Sequence, residues 1–201
     1  MFLLPISGNR TPIALGAGEW LGRGGHFWPD GGLLAFGSNR SGRFEVYAEE
    51  ISVDGGTRIA VRDDRNSHAP AVGRDVLYFA AGVTLRLGSW DWEIRSASPE
   101  SGPSTLVGRV AGVRLPISAY YPHFSLSPSG DSLAMGLADG VTTNIWTLGT
   151  SDGAWRQLTD FGDEPTTIAR NVSWAPDGQH LYAAVCRNIG DVVMFDGLVN
   201  G

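Results

Sequence analysis

The chain has 201 residues, and its 28 glycines and 11 prolines leave little room for long helices. Apolar residues make up 42% and charged residues 18%, so the composition is that of a folded domain and excludes a disordered chain. The formal net charge is −6 and Lys and Arg are not clustered, which argues against a nucleic-acid-binding surface.

The first residues predict two short strands, at residues 2–4 and 12–15, separated by Ser7-Gly8. They match the last two strands of the four-strand unit that recurs further along, so we expect the chain to begin within such a unit. Residues 1–6 lack the basic start and the apolar length of a signal peptide. We find no apolar run long enough to span a membrane, and the sequence leaves the compartment open.

A tight turn then recurs, each time before a short apolar strand. Proline presets φ for such a turn, aspartate bonds to its own backbone, and glycine accepts the positive φ that closes a hairpin. The strand that follows carries an equivalent leucine about every 50 residues, a spacing typical of β-propeller blades. The second copy has lost its Pro-Asp. The turns are Pro29-Asp30-Gly31, Pro128-Ser129-Gly130 and Pro176-Asp177-Gly178, and the leucines are Leu34, Leu77, Leu133 and Leu181.

Two further strands follow each turn. Large apolar residues alternate with polar ones, as a half-buried strand requires. The predicted third strands are residues 44–47, 92–94, 144–146 and 191–194, and the predicted fourth strands are residues 58–61, 104–107 and 156–159. The turns between them are marked by residues 54–56 and 152–153.

The sequence therefore predicts an all-β protein, a β-propeller of four-stranded antiparallel blades. Three full blades lie between two partial ones, which indicates an incomplete or open propeller. A looser ring, in which the terminal strand completes the last blade, is the alternative. The predicted boundaries are 1–25 for a partial blade, 26–67, 68–120 and 121–170 for full blades, and 171–201 for a second partial blade.

The copies resemble the TolB-like propeller repeats of bacteria. The resemblance is best at residues 29–47, where a Pro-Asp-Gly turn, a Leu-Ala-Phe strand and a Ser-Asn-Arg-Ser-Gly loop follow one another. It covers nearly the whole chain and implies a propeller fold. Residues 121–198 also resemble the propellers that follow a kinase or a winged-helix domain in some large bacterial sensory proteins. That resemblance implies covalent neighbour domains of those kinds in a longer protein.

Motifs for catalysis are weak. Asp160-Phe161-Gly162 spells a kinase magnesium motif, but the Gly-rich loop, strand lysine and His-Arg-Asp loop that accompany it are missing from the sequence. Gly149-Thr150-Ser151-Asp152-Gly153 has Gly-x-Ser-x-Gly spacing, but its Asp152-Gly153 is the predicted turn between a third and a fourth strand, whereas a hydrolase elbow joins a strand to a helix. Cys186 lies in an apolar stretch and is expected to be buried. We expect no catalytic residue, metal or cofactor.

The histidines recur at about blade spacing without carboxylates at ligand spacing. His26, His68 and His123 come just before or within innermost strands, so they either line the centre of the propeller or cap the ends of blades. A hydrolase or lyase that uses the propeller centre would need histidines and carboxylates to converge there.

The remaining hypothesis is a binding surface. In a propeller the loops between strands two and three share one face with the blade-to-blade connections, and here these are the longer segments: 38–43, 62–68, 80–91, 108–122, 160–170 and 187–190. They contain residue types that dominate interfaces, and the predicted ligand-binding residues are Arg40, Arg43, Arg65, Trp90, Tyr120, Tyr121 and Arg170. For the aromatic residues the alternative is packing between blades.

From these features we expect a non-enzymatic module that binds a protein or peptide through the long-loop face, without nucleic acid and without membrane insertion. The alternative is the non-catalytic propeller cap of a prolyl-oligopeptidase-type hydrolase whose catalytic domain lies outside this chain.

Overall fold

A computed structural model describes residues 2–4, 6, 8, 11–14, 21–51, 57–61, 65–86, 89–99, 103–111, 114–115 and 121–187. Its strands, in chain order, are β1 (Phe2–Leu3), β2 (Ile13–Ala14), β3 (Gly22–Phe27), β4 (Leu33–Ser38), β5 (Glu45–Glu50), β6 (Thr57–Val61), β7 (Ser67–Val72), β8 (Leu77–Arg86), β9 (Ser89–Ala97), β10 (Thr105–Val110), β11 (Phe124–Leu126), β12 (Ser132–Asp139), β13 (Thr142–Gly149), β14 (Trp155–Gln157), β15 (Thr166–Trp174) and β16 (Leu181–Arg187).

The strands form antiparallel sheets in which neighbours in sequence are neighbours in space. Three sheets have four strands, β3-β4-β5-β6, β7-β8-β9-β10 and β11-β12-β13-β14, and they are called blades 1, 2 and 3 below. Two-stranded sheets, β1-β2 and β15-β16, lie before and after them in the chain. The predicted fold class, an all-β partial propeller with three four-stranded blades, is confirmed. The predicted third strand at 191–194 and the turn at 54–56 lie outside the described residues.

The recurrent turn closes the hairpin between the first two strands of a blade. The amide groups of Gly31, Gly130 and Gly178 donate to carbonyl oxygens three residues earlier at 2.8, 2.9 and 3.0 Å. All three glycines have positive φ, at 74°, 81° and 67°, which explains why glycine stands at this place. The copy that lost Pro-Asp makes a shorter turn, in which the amide of Gly73 donates to the carbonyl of Val76 at 2.8 Å.

The register of the first hairpin confirms that the leucines are equivalent. Each pairs with the last residue of the first strand: Phe27 with Leu34, Val72 with Leu77, Leu126 with Leu133, and Trp174 with Leu181.

The second strands explain how the sheets pack face to face. Leu77 and Phe79 of blade 2 pack in one core cluster with Ala35 of blade 1, and Leu133 and Met135 of blade 3 pack with Ala80 of blade 2. Because side chains alternate along a strand, the bulky residues face the preceding sheet and the small ones leave room for the next.

Blade 3 packs on β15 in the same way, with a small residue opposite bulky ones, and blade 2 has one exception to this pattern. Ala134 of blade 3 packs with Ile168 and Val172 of β15. Tyr78 is the exception, since it is a large side chain on the face of blade 2 that packs against blade 3. The core is thus a set of layers between sheets, with a small residue opposite each bulky pair.

One predicted loop is wrong. Residues 80–91 were expected to form a long connection, but β8 continues to Arg86 and β9 begins at Ser89. The pairing of β8 with β9 continues after a bulge at Val83, where Thr84 pairs with Asp91 and Leu85 pairs with Trp90. Within the described ranges, no helix has the length and apolar character needed to cross a membrane.

Candidate functional site

The long-loop face is anchored by one buried polar position that recurs in the third strands. Glu45, Glu93 and Asn144 stand at the same register position of β5, β9 and β13, four residues before the partner of the equivalent leucine. All three are buried. Burying such a group is costly unless it is hydrogen-bonded, and each of them binds part of a long loop.

In blade 1 this position fixes the β4–β5 loop. An Nη2 group of Arg43 donates to Oε1 of Glu45 at 3.0 Å, and the hydroxyl of Tyr47 donates to Oε2 at 3.3 Å. The guanidinium of Arg40 lies over the rings of Tyr47 and Phe36, with its central carbon 4.4 and 5.2 Å from their centroids. A stacked guanidinium keeps the N–H groups on its rim for other contacts.

In blade 2 the same position holds three guanidinium groups. Glu93 accepts hydrogen bonds from Arg65 at 2.7 Å, from Arg95 at 2.6 Å and from Arg109 at 3.0 Å. Burial alone would raise the pKa of Glu93, but the hydrogen bonds from these arginines and the charge of Arg65 lower it below its usual value. Arg65 belongs to the connection between blades 1 and 2, so Glu93 fastens that connection to blade 2.

In blade 3 the neutral Asn144 has the same role. Its Oδ1 accepts from the amide of Phe161 at 3.1 Å and from the hydroxyl of Thr159 at 3.2 Å, which holds the start of the connection to β15. The kinase-like Asp160-Phe161-Gly162 is part of this connection, where Asp160 accepts the amide of Gly162 at 2.9 Å in a local turn.

The two loop types of this face are joined directly. Oδ1 of Asn66, in the connection to blade 2, accepts the amide of Phe44 at 3.2 Å, and the amide of Ser67 donates to the carbonyl of Phe44 at 2.9 Å. The β4–β5 loop of blade 1 therefore lies beside the blade 1–blade 2 connection, as the propeller hypothesis requires.

The predicted ligand-binding residues fall into three groups. Arg40, Arg43 and Arg65 lie on the long-loop face with the partners described above. Tyr121 is buried between blades. Tyr120 lies outside the described residues, and Trp90 and Arg170 lie in β9 and β15 at positions where the structure describes the backbone only. Whether these residues bind a ligand stays a prediction.

A second feature, which we call the axial cleft, lies among the innermost strands. It is a cavity of about 150 Å³. The hairpin registers place His26, Ser125 and Ser173 at one equivalent position, one residue before the end of β3, β11 and β15. Gly24, Ala69 and Asn171 lie in the bulges of β3, β7 and β15, and His123 directly precedes β11. Tyr121, Phe124 and Val172 complete the lining. A ring of equivalent positions on the first strands is the axis of a propeller.

The backbone is unusual where it borders this cleft. In β3 and β7 the pairing with the second strand is interrupted by a bulge, after Arg23 and after His68. Gly24 has φ 59° at the first bulge, and Ala69 has φ 49° at the second. A left-handed conformation is costly for alanine, so packing of the surrounding strands must maintain it at Ala69.

A stack of rings borders the cleft. His68 lies between Phe44 and Tyr121, with centroid distances of 4.6 Å to each, and Tyr121 lies 4.6 Å from His123. His68 is buried, and its Nδ1 has no hydrogen-bond partner among the described residues. Burial, with smaller contributions from the charges of Arg23 and His123, lowers the pKa of His68 to about 4. His68 is therefore a neutral part of the core at neutral pH.

The histidine alternatives are now resolved by position. His26 and His123 line the cleft, whereas His68 is packed in the ring stack, and His180 lies in the β15–β16 turn with its Nδ1 2.7 Å from Oδ2 of Asp177. In the part of the chain that the structure describes, no three His, Cys, Asp or Glu side chains are grouped as metal ligands. Cys186, expected to be buried, is exposed on β16, so that prediction is wrong.

No protein-family model matches the sequence, and a search of curated proteins gives no significant match. Solved structures do resemble it. TolB from Acinetobacter baumannii is similar with a TM-score of 0.67 and 17% identity over 90% of this chain and 42% of that protein. A putative TolB from Agrobacterium tumefaciens gives 0.69 and 17% over 94% of this chain and 64% of that protein.

A prolyl endopeptidase is similar with a TM-score of 0.53 and 14% identity, over 83% of this chain and 25% of that protein. The chain thus spans less than two thirds of the length of each of these proteins. At such identities the likeness concerns the fold, and it agrees with the sheets and turns described above: this chain has the fold of part of a TolB-like β-propeller.

Proposed function

We propose that this chain is a non-enzymatic binding module that recognises a protein or peptide through its long-loop face. The observation that carries the proposal is the fixed placement of Arg40, Arg43 and Arg65. Arg40 is stacked on two rings, and the other two are paired with carboxylates buried in the third strands. Side chains that are already ordered lose less entropy on binding, and arginine is enriched at interface hot spots.

The TolB-like fold supports a binding or scaffold role. Partial exposure leaves these arginines available to a partner. The side chain of Arg43 is 44% exposed and that of Arg65 is 29% exposed, although their carboxylate partners are buried. A partner with carboxylates or backbone carbonyls at this face would meet guanidinium groups whose orientation is set in advance.

The test is selection of binding peptides from a displayed library, followed by affinity measurements on variants. Arg40→Ala and Arg43→Ala should each weaken a selected peptide by about tenfold or more. Arg74→Ala is the matched control, because Arg74 is an exposed arginine in the turn between β7 and β8, on the opposite face. Equal losses for all three variants, or no loss for the first two, would contradict the proposal.

The second candidate is a non-catalytic cap of a prolyl-oligopeptidase-type hydrolase. The likeness to a prolyl endopeptidase is the observation in its favour. The decisive observation is the adjoining genomic sequence: a Gly-x-Ser-x-Gly elbow with Asp and His partners favours the cap, and a kinase or winged helix favours the binding module of a sensory protein.

A further inference from the structure

We propose that the axial cleft binds a carboxylate group, carried either by a small organic acid or by the C-terminus of a peptide. The cleft shares Tyr121 with a segment of the long-loop face, but the proposal does not rest on the function proposed above. It is argued from the lining of the cleft, its charge and its size.

The lining is rich in groups that can donate hydrogen bonds. The polar members are two imidazoles, two hydroxyls of serine, one phenol and one amide, from His26, His123, Ser125, Ser173, Tyr121 and Asn171. Among the described residues that line the cleft, none is acidic. A carboxylate accepts hydrogen bonds at both oxygens, so each of these groups can donate to it, whereas an ammonium group would find no carboxylate partner among them.

One lining group is unsatisfied in the protein itself. The hydroxyl of Ser125 is buried without a hydrogen-bond partner among the described residues. A buried polar atom of this kind calls for an explanation, and a bound ligand is one. Ser125 stands at the register position that His26 and Ser173 occupy in their strands, so this hydroxyl belongs to the same ring of lining groups.

The local charge favours an anion. Next to the cleft, the positive charges of Arg23 and of His123 when protonated add to burial in lowering the pKa of His68. These positive charges oppose protonation of His68. The same charges attract a negatively charged ligand to the cleft. Of the three buried acids among the described residues, Glu45 and Glu93 are hydrogen-bonded to arginines of the long-loop face, which balance their charge.

The size limits the ligand. A cavity of about 150 Å³ is comparable to an engineered protein cavity that holds one benzene molecule. The site therefore takes a short organic acid, or the terminal carboxylate and one small side chain of a peptide.

The probes are sodium propionate and its uncharged isostere propionamide, added to the full chain at constant ionic strength. Imidazole proton signals are followed by NMR and assigned by the loss of single signals in His26→Gln and His123→Gln. We expect propionate to shift the signals of His26 and His123 with saturation, and propionamide to leave them in place. A shift that does not saturate, or one that propionamide reproduces, overturns the proposal.

Variants and peptides complete the test. His26→Gln, His123→Gln and Ser125→Ala should weaken propionate binding by about tenfold, the effect of losing one hydrogen bond to a charged group. His180→Gln, a histidine variant outside the cleft, should bind as the parent does, and amide spectra report whether each variant is folded. Parent-like affinity in folded His26→Gln and His123→Gln overturns the proposal.

Trialanine with a free and with an amidated C-terminus separates the two sources of the carboxylate. Tighter binding of the free peptide than of propionate identifies a chain end as the ligand, and the reverse order identifies a small acid. Equal binding of the free and the amidated peptide counts against the proposal.

Discussion

The glutamate that holds three arginines offers the sharpest test of how the long loops are anchored. The change is Glu93→Gln, which keeps the size of the side chain but replaces one acceptor oxygen by a donor amide. It leaves Arg65, Arg95 and Arg109 without the carboxylate that they share at 2.6 to 3.0 Å. An amide beside three guanidiniums can satisfy fewer of their N–H groups than a carboxylate does.

The magnitude follows from the burial of the pair. Removing one partner of a buried ion pair costs about 3–5 kcal/mol, because the other charge remains buried. Arg109 is 70% exposed and keeps its hydration, so its share is small, and Arg65 is 29% exposed. We therefore expect a loss near the lower limit, about 3 kcal/mol, which lowers the midpoint of thermal unfolding by about 6–12 °C in a chain of this size.

The assay is urea unfolding followed by circular dichroism, with Glu164→Gln as the matched control. Glu164 pairs with Arg187 at 3.5 Å, but their side chains are 61% and 76% exposed. An exposed pair contributes less than about 1 kcal/mol, so the control variant should unfold close to the parent. A loss for Glu93→Gln no larger than that of Glu164→Gln would refute the reasoning that this network anchors the fold.

The pH dependence gives an independent check. The pKa of Glu93 is lowered in the folded protein from an ordinary value of 4.5. Its contribution is therefore fully present above pH 4.5 and is lost as pH falls through the folded pKa. The difference in unfolding free energy between the parent and Glu93→Gln should shrink as pH falls below 4.5, and a difference that stays constant there would count against an ionised anchor.

Four further predictions concern the turns, the bulge, the sheet packing and the ring stack. Gly31→Ala should destabilise by about 1 kcal/mol in urea unfolding because φ is 74°, with no atom within 4 Å of the added carbon, whereas Gly32→Ala next to it should be nearly neutral; equal effects would argue against backbone strain. Ala69→Gly should stabilise the protein by about 1 kcal/mol because φ is 49° at this bulge, whereas Ala71→Gly in the buried strand should destabilise it. A loss of stability at both positions would contradict the strain assigned to Ala69. Ala134→Leu should cost about 1–3 kcal/mol through overpacking against Ile168 and Val172, with Ala154→Leu in an exposed turn as control; tolerance at Ala134 would show that the sheets can separate locally. Because the pKa of His68 is lowered from 6.5 to about 4, its contribution to the unfolding free energy should fall by roughly 3 kcal/mol between pH 6.5 and 4. His68→Phe keeps a ring in the stack and should remove this contribution from the pH dependence. The same pH dependence in the parent and in His68→Phe would show that the pKa of His68 is not lowered.

The order and register of the strands could be predicted because the signals are local. A Pro-Asp-Gly turn fixes where a hairpin reverses, and the leucine after it fixes which residues face each other across the hairpin. The register confirmed all four leucines, including Leu77, which follows a turn without proline. The extension of β8 and β9 past residue 82 was missed because Gly82 and Gly88, together with the polar residues around them, are typical of a loop.

The candidate sites were less predictable because they depend on contacts between distant residues. The sequence indicates Arg65 as a surface arginine, but its partner Glu93 is 28 residues further along the chain, in β9 of blade 2. The available signal was a polar residue inside an apolar third strand, repeated as Glu45, Glu93 and Asn144. Lining of the propeller centre by His26, His68 and His123 was one of two alternatives in the sequence, which could not show which histidines share a cavity. The equivalence of the first strands around the axis brings His26 and His123 to one cleft and leaves His68 out of its lining.

The alternation of bulky and small residues on the second strands also gives each sheet two unlike sides. Apart from Tyr78 in blade 2, a protruding row of Leu, Phe or Met on one side matches a recessed row of Ala or Gly on the other, which favours adding sheets in series in one orientation. Any repeat that keeps a bulky side and a small-residue side can pack its bulky side on the preceding sheet and offer its small-residue side to the next one. Tandem duplication of one such repeat would thus lengthen the array without a new interface having to evolve.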